Sequence, residues 1–141
     1  MELKETVKTE LIKMALEARK SAYTPYSGYA VGAALLTKAG KVYLGCNIEN
    51  ASFGATNCAE RTAFFKAVSE GEKEFAAIAI AGGKAGEEAV EYAYPCGICR
   101  QVMQEFCNKE FKIFVVKTNG EFEEHTLMEL LPYGFGGDNL T

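Results

Sequence analysis

The sequence predicts an α/β fold, a three-layer α/β/α sandwich around a mixed five-stranded sheet. Three observations carry this. The periodic segments follow the order α-β-β-α-β-α-β-β-α. One strand segment, 75–81, is apolar throughout, as a strand covered on both faces must be. Two strand pairs are joined by tight turns, Lys38-Ala39-Gly40 and Asn119-Gly120, where glycine accepts the positive φ that a hairpin needs.

Each element has its own signature. Leu3, Val7, Leu11, Met14, Ala15 and Ala18 recur at three- and four-residue spacing, which predicts an amphipathic helix at the N-terminal end. Residues 29–37 and 41–49 read as two strands. Helix character returns over 58–70. After the buried strand at 75–81, the glycine-rich and acidic stretch 82–91 is short enough for a loop within one domain. Ile98, Val102 and Phe106, at four-residue spacing, predict a helix over 97–107. Residues 111–117 and 121–125 form a hairpin. A last short helix over 126–131 is stopped by Pro132.

Length and composition narrow the function classes. A chain of 141 residues makes one domain, 1–141, large enough to bury roughly 68–70% of its unfolded surface without disulfide staples. Lys and Arg number 15 against 19 Asp and Glu, a net charge of −4, which argues against nucleic acid and anionic membranes as partners. The longest apolar run, 75–81, is far short of the ~20 residues that span a bilayer. The N-terminal segment alternates charge with apolar residues and has no secretory stretch. The expectation is a cytoplasmic protein with reduced thiols, in which the sequons Asn50-Ala51-Ser52 and Asn139-Leu140-Thr141 are chance matches. The five cysteines are an odd number, so a closed disulfide scheme leaves one over. The single histidine, His125, leaves any metal site to Cys, Asp or Glu.

Two segments carry chemistry: Asn57-Cys58-Ala59-Glu60-Arg61 and Tyr94-Pro95-Cys96-Gly97-Ile98-Cys99-Arg100. Cys96 and Cys99 share a helical face at i, i+3, in a first turn whose exposed N–H groups favour thiolate. Cys58 opens the other helix under the same influence. Three thiolates around Zn²⁺ leave a fourth tetrahedral position open, the pattern of a catalytic site. Cys107 is ~12 Å along the helix from Cys99 and out of reach. Cys46 points away if Asn47 and Glu49 face the site, because strand side chains alternate.

Three thiolates leave the ion with net negative charge. Arg61 and Arg100, each directly following its motif, are candidates to withdraw that charge by hydrogen bonding to sulfur. Glu60, two residues past Cys58, is placed to take a proton from water on the metal. Its competing role is structural: Asn57 and Glu60 also have the spacing of a capping box. Cys96 and Cys99 taken alone also fit a redox pair or half of a structural zinc site.

Together these segments resemble the zinc-dependent cytidine deaminases, in particular the small homotetrameric class with three cysteine ligands. Further matching stretches are Pro25-Tyr26-Ser27, Val31-Gly32-Ala33-Ala34-Leu35, Gly45-Cys46-Asn47-Ile48-Glu49-Asn50-Ala51 and Glu129-Leu130-Leu131-Pro132. The resemblance implies one Zn²⁺ per subunit on Cys58, Cys96 and Cys99. It implies Glu60 as proton shuttle for attack of zinc-activated water on C4 of cytidine or 2′-deoxycytidine, a reaction of pyrimidine salvage. It implies Asn47 and Glu49 as ribose ligands, Ala59 as a backbone contact to the base, and Tyr29, where the family usually has Phe, as a ring packing on base or sugar. Phe135 matches an aromatic that reaches a neighbouring subunit's substrate, so the implied partners are a nucleoside and other copies of the chain in a homotetramer with active sites at its interfaces. Phe53 stands where the family often has Tyr. The rival readings are a blasticidin S-type deaminase, which shares the cysteine motifs, and a structural zinc module, which needs a fourth ligand and gives Glu60 no task.

Overall fold

The buried stripe of the first helix, α1 (Glu5–Ala18), consists of Leu11, Ile12, Ala15 and Ala18, as the spacing predicts. A computed structural model describes residues 2–141; Met1 of the predicted domain 1–141 lies outside the described residues. After α1 come β1 (Tyr29–Thr37), β2 (Val42–Cys46), α2 (Ala59–Ser69), β3 (Phe75–Lys84), α3 (Gly97–Phe106), β4 (Lys112–Val116), β5 (Phe122–Thr126) and α4 (Leu127–Leu130). The strands form one mixed sheet in the order β2-β1-β3-β4-β5. β3 and β4 are parallel, joined by the crossover through α3, and all other pairs are antiparallel.

Alternation along the strands divides the core into two layers of contact. Ala34 and Leu36 of β1 and Ala77, Ala79 and Ala81 of β3 face α1. Ala33 and Leu35 of β1 and Ile78 and Ile80 of β3 face Ala59, Ala63 and Phe64 of α2 and Met103 of α3. The result is the predicted three-layer sandwich. Two glycines set the closeness of the layers. A Cβ on Gly32 would lie 2.2 Å from the carbonyl oxygen of Ala15 in α1, and one on Gly45 would lie 2.2 Å from that of Ala59 in α2. Both strands thus use glycine where a helix backbone approaches.

Two boundaries differ from the sequence expectation. β3 continues to Lys84, because β1 offers nine residues and Ala30 and Tyr29 pair with Gly83 and Lys84. β2 ends at Cys46 instead of continuing to Glu49. The Asn47 side chain takes over the pairing with β1: its Oδ1 accepts from Val31 N at 2.9 Å and its Nδ2 donates to Tyr29 O at 2.8 Å. Beyond it, Ile48 makes only single bridges to Tyr23 and Asn57, so simple strand alternation does not extend through Asn47 and Glu49.

Candidate active site

Cys58 and Cys96 are the N-cap residues of α2 and α3, and Cys99 lies in the first turn of α3. Neither helix has a side-chain cap. The cysteines thus sit at the positive dipole ends of the two helices, a setting that favours thiolate. The capping-box role for Asn57 and Glu60 is not realised. Asn57 Nδ2 instead donates to Thr62 Oγ1 at 3.1 Å, and that hydroxyl donates to the Cys58 carbonyl at 3.1 Å, which braces the turn carrying Cys58. The capping box of this chain lies elsewhere, between Thr126 and Glu129 at the start of α4.

The sulfurs of Cys58, Cys96 and Cys99 all lie within 4.8 Å of one another, and among the described residues no fourth Cys, His or carboxylate joins them. Cys58 Sγ and Cys96 Sγ are 3.7 Å apart. Zinc–sulfur bonds of ~2.3 Å at tetrahedral angles require sulfurs roughly 3.8 Å apart, so this donor set fits the ion. Hydrogen bonding from the Cys99 thiol and from Arg61 holds the Cys58 thiol well below the ordinary thiol range, which favours its thiolate form. Cys46 and Cys107 are free thiols outside the group, and burial pushes both above the ordinary thiol range.

Arg61 Nη2 donates to Cys58 Sγ at 3.2 Å, and its guanidinium also faces Cys99. Arg100 behaves differently. Its Nε donates to Pro95 O and its Nη1 to Leu130 O, each at 2.7 Å, so the expected contact with sulfur is not made. Projecting from the other side of α3's first turn, Arg100 ties the loop before Cys96 to the end of α4.

Glu60 is only 4% exposed. Burial pushes its carboxyl up to about 7, and the Cys58 charge pushes in the same direction. Glu60 shares a cavity of about 350 Å³ with Cys58, Cys96, Ala59, Asn47 and Tyr29. Glu49 is outside this cavity. Its carboxylate accepts from the Ser27 hydroxyl and from the backbone N–H groups of Tyr26 and Ser27, and it borders an adjoining hollow of about 340 Å³ that shares Thr56 with the first. Phe135 does not line the cavity. It is 56% exposed, held at its backbone by Gln101. Phe53 is more exposed still and packs edge-on against Tyr26.

The cavity wall also contains Val31 and Tyr94, which lie in the motif segments but have no role assigned from sequence, and Thr56, Ile80 and Ala93, which lie outside them. Their signal was positional. Thr56 and Tyr94 each lie two residues before a cysteine N-cap, where the incoming chain must border whatever the cysteines hold.

Comparison with known proteins agrees with this geometry. The cytidine and deoxycytidylate deaminase zinc-binding region matches residues 5–115. A cytidine deaminase of Sporosarcina psychrophila is 47% identical over 132 residues, covering 94% of this chain and 93% of the relative. The crystal structure of a cytidine deaminase from Burkholderia pseudomallei superposes with a TM-score of 0.83 at 44% identity, over 94% of this chain and 100% of that one. A blasticidin-S deaminase of Bacillus cereus is more distant, 33% identical over 126 residues, covering 87% of this chain and 88% of the relative. With three thiols set for zinc beside a buried carboxyl, and with matches over nearly its whole length, the chain belongs to the zinc-binding cytidine and deoxycytidylate deaminase family.

Proposed function

We propose that this chain hydrolyses cytidine and 2′-deoxycytidine to uridine and 2′-deoxyuridine with release of ammonia. One observation carries the reading: Cys58, Cys96 and Cys99 converge with no fourth ligand among the described residues, and Cys58 and Cys96 line a cavity that also contains the buried Glu60 carboxyl. The relative at 47% identity, named as a cytidine deaminase, supports the substrate. A structural zinc module leaves both the open position and the buried acid without a task.

Cys58, Cys96 and Cys99 would hold one zinc per subunit, and bound there it would supply the Lewis acidity that makes a water nucleophilic near neutral pH. Arg61 draws charge from the Cys58 sulfur and so keeps the site electrophilic. Glu60 takes a proton from the attacking water and delivers it to N3 of the pyrimidine as oxygen adds at C4. It then carries a proton to the exocyclic amine, which leaves as ammonia while the C4 carbonyl forms.

Ala59, fully buried at the start of α2, presents backbone to the base. Asn47 commits one amide hydrogen to Tyr29 O and keeps the second for a sugar hydroxyl. Glu49 retains acceptor capacity for the same sugar from the adjoining hollow. Tyr29 closes one side of the cavity. Arg100 acts on the loop before Cys96 and not on the metal ligands directly.

Phe135 and Phe53, large rings left exposed, support assembly into a homotetramer in which Phe135 completes a neighbour's site. The net charge of −4 favours a free nucleoside over a nucleic acid. Five free cysteines suit a reducing, cytoplasmic setting.

The test is an ultraviolet assay of the zinc-loaded protein with cytidine, 2′-deoxycytidine and blasticidin S. Loss of the aminopyrimidine absorbance with both nucleosides is expected. Turnover of blasticidin S with neither nucleoside consumed would overturn the assignment.

A further inference from the structure

Residues 85–96 form an extended connection between β3 and α3, containing a turn but no helix or strand, and this connection delivers Ala93, Tyr94 and Cys96 to the cavity. Three attachments fix it to the β4–β5 hairpin. Ala89 exchanges hydrogen bonds with Thr118: its N–H donates to Thr118 Oγ1 at 2.7 Å and its carbonyl accepts from Thr118 N at 2.9 Å. The Lys117 ammonium sits 4.5 Å from the Tyr92 ring centroid. Nearest the site, the Tyr94 hydroxyl donates to Glu123 Oε1 at 2.6 Å.

The third attachment is the most elaborate. Glu123 and His125 are at i and i+2 on β5, so both side chains leave the same face of the strand. His125 Nε2 bonds the same Glu123 oxygen at 3.0 Å, and the imidazole packs edge-on against the Tyr94 ring with centroids 5.9 Å apart. The far side of the imidazole faces Glu129, with Nδ1 3.9 Å from Oε2. Tyr94 is thus gripped at its hydroxyl by a carboxylate and along its ring by an imidazole.

We infer that Glu123 and His125 are positioning residues for the cavity: they hold Tyr94 as a fixed aromatic wall against which the nucleoside is placed. The inference rests on the nucleoside reading above. It adds that the edge strand β5, which contributes no group to the chemistry, sets how well the substrate is seated. Tyr94 is half-exposed even with this bond, so freed of Glu123 it gains rotameric freedom, and ordering it then costs binding free energy. The loss falls on binding and spares the proton transfers at Glu60.

The test is a double-mutant cycle on the zinc-loaded enzyme with cytidine. Glu123→Ala and Tyr94→Phe should each raise KM by roughly three- to tenfold with kcat within about twofold, because ground-state seating is what is lost. The double variant should be no worse than either single one, since both remove the same bond. Glu123→Gln keeps an acceptor oxygen for the phenol and should return KM to near the parent value. An unchanged KM in Glu123→Ala, or single effects that multiply in the double variant, would overturn the inference.

A second readout is independent of turnover. In a calorimetric titration with uridine, the expected product, Glu123→Ala and Tyr94→Phe should each bind more weakly by about the factor by which KM rises; equal uridine affinity in parent and Glu123→Ala contradicts the seating role. A zinc-loaded parent protein that leaves cytidine intact and does not bind uridine places the failure in the nucleoside reading, and the seating role falls with it.

Discussion

The two faces of the sheet are built from the same strands but do different work. Toward α1, β3 presents Ala77, Ala79 and Ala81, and β1 presents Ala34 with Gly32 beneath the Ala15 carbonyl. Toward α2 and α3, the same β3 presents Ile78 and Ile80, and these meet Phe64, Phe75, Phe111 and Met103. The first face is small where α1 crosses β1 and β3 and bulkier only toward Leu36, Val116 and Phe114, and it carries no group of the site. The second is a bulky, aromatic layer, with Phe64 and Phe75 ring centroids 5.0 Å apart, and it fixes two helices whose N-termini converge. The chemistry lies where large side chains fix the helix positions, because the three sulfurs must meet to within a fraction of an ångström.

The largest effect on this contrast should come from removing a sulfur. Cys96→Ser should lose most of its zinc and, because metal binding and folding are coupled, about 3–4 kcal/mol of the stability that a well-occupied site contributes. Metal analysis alongside thermal melting with and without chelator checks this. A melting temperature indifferent to both the substitution and the chelator would contradict it.

A matched pair of glycine substitutions separates the faces. Gly45→Ala and Gly32→Ala both push a methyl into a helix carbonyl at 2.2 Å, and each should cost about 1–3 kcal/mol. They should differ in kinetics. Gly45→Ala displaces Ala59 and with it Cys58 and Glu60, so kcat should fall, by up to ~10²-fold for a shift of ~1 Å. Gly32→Ala disturbs only α1 and should leave kcat of the folded fraction near the parent value. Equal kinetic losses in the two variants would erase the distinction between the faces.

The smallest effect concerns the loop beside the site. The Ser27 hydroxyl and the N–H groups of Ser27 and Tyr26 hold the Glu49 carboxyl below the ordinary carboxylate range. A lowered folded-state value means that its contribution to stability is complete above the unfolded value, ~4.3, and is lost as pH falls through the folded one. Glu49→Gln should therefore melt slightly below the parent at neutral pH and converge with it in acid. A gap independent of pH would show that Glu49 acts there only as a neutral acceptor.

Much of this was legible in the sequence. The order of elements, the central apolar strand and the placing of three cysteines at helix starts follow from local pattern, because periodicity and helix-start chemistry are properties of neighbouring residues; that Cys58 meets the other two follows from the family resemblance. What was not legible depends on partners distant in the chain. Asn47 ends β2 by using its own amide as a piece of strand, a role visible only once β1 is beside it. Arg100 is adjacent to Cys99 in sequence, yet the turn of α3 directs it to Leu130. The attachment of Tyr94 to Glu123 spans 29 residues and has no local signature.

The mechanism requires Glu60 to be a catalytic carboxyl and not part of the packing of α2. Glu60→Gln keeps the size and burial of the side chain but cannot exchange a proton. Measured together, zinc content and kcat for cytidine should separate: zinc and fold retained, and kcat down by at least ~10²–10⁴-fold, the scale of a positioned acid–base group. A zinc-loaded Glu60→Gln protein that turns over cytidine at close to the parent rate would contradict the mechanism.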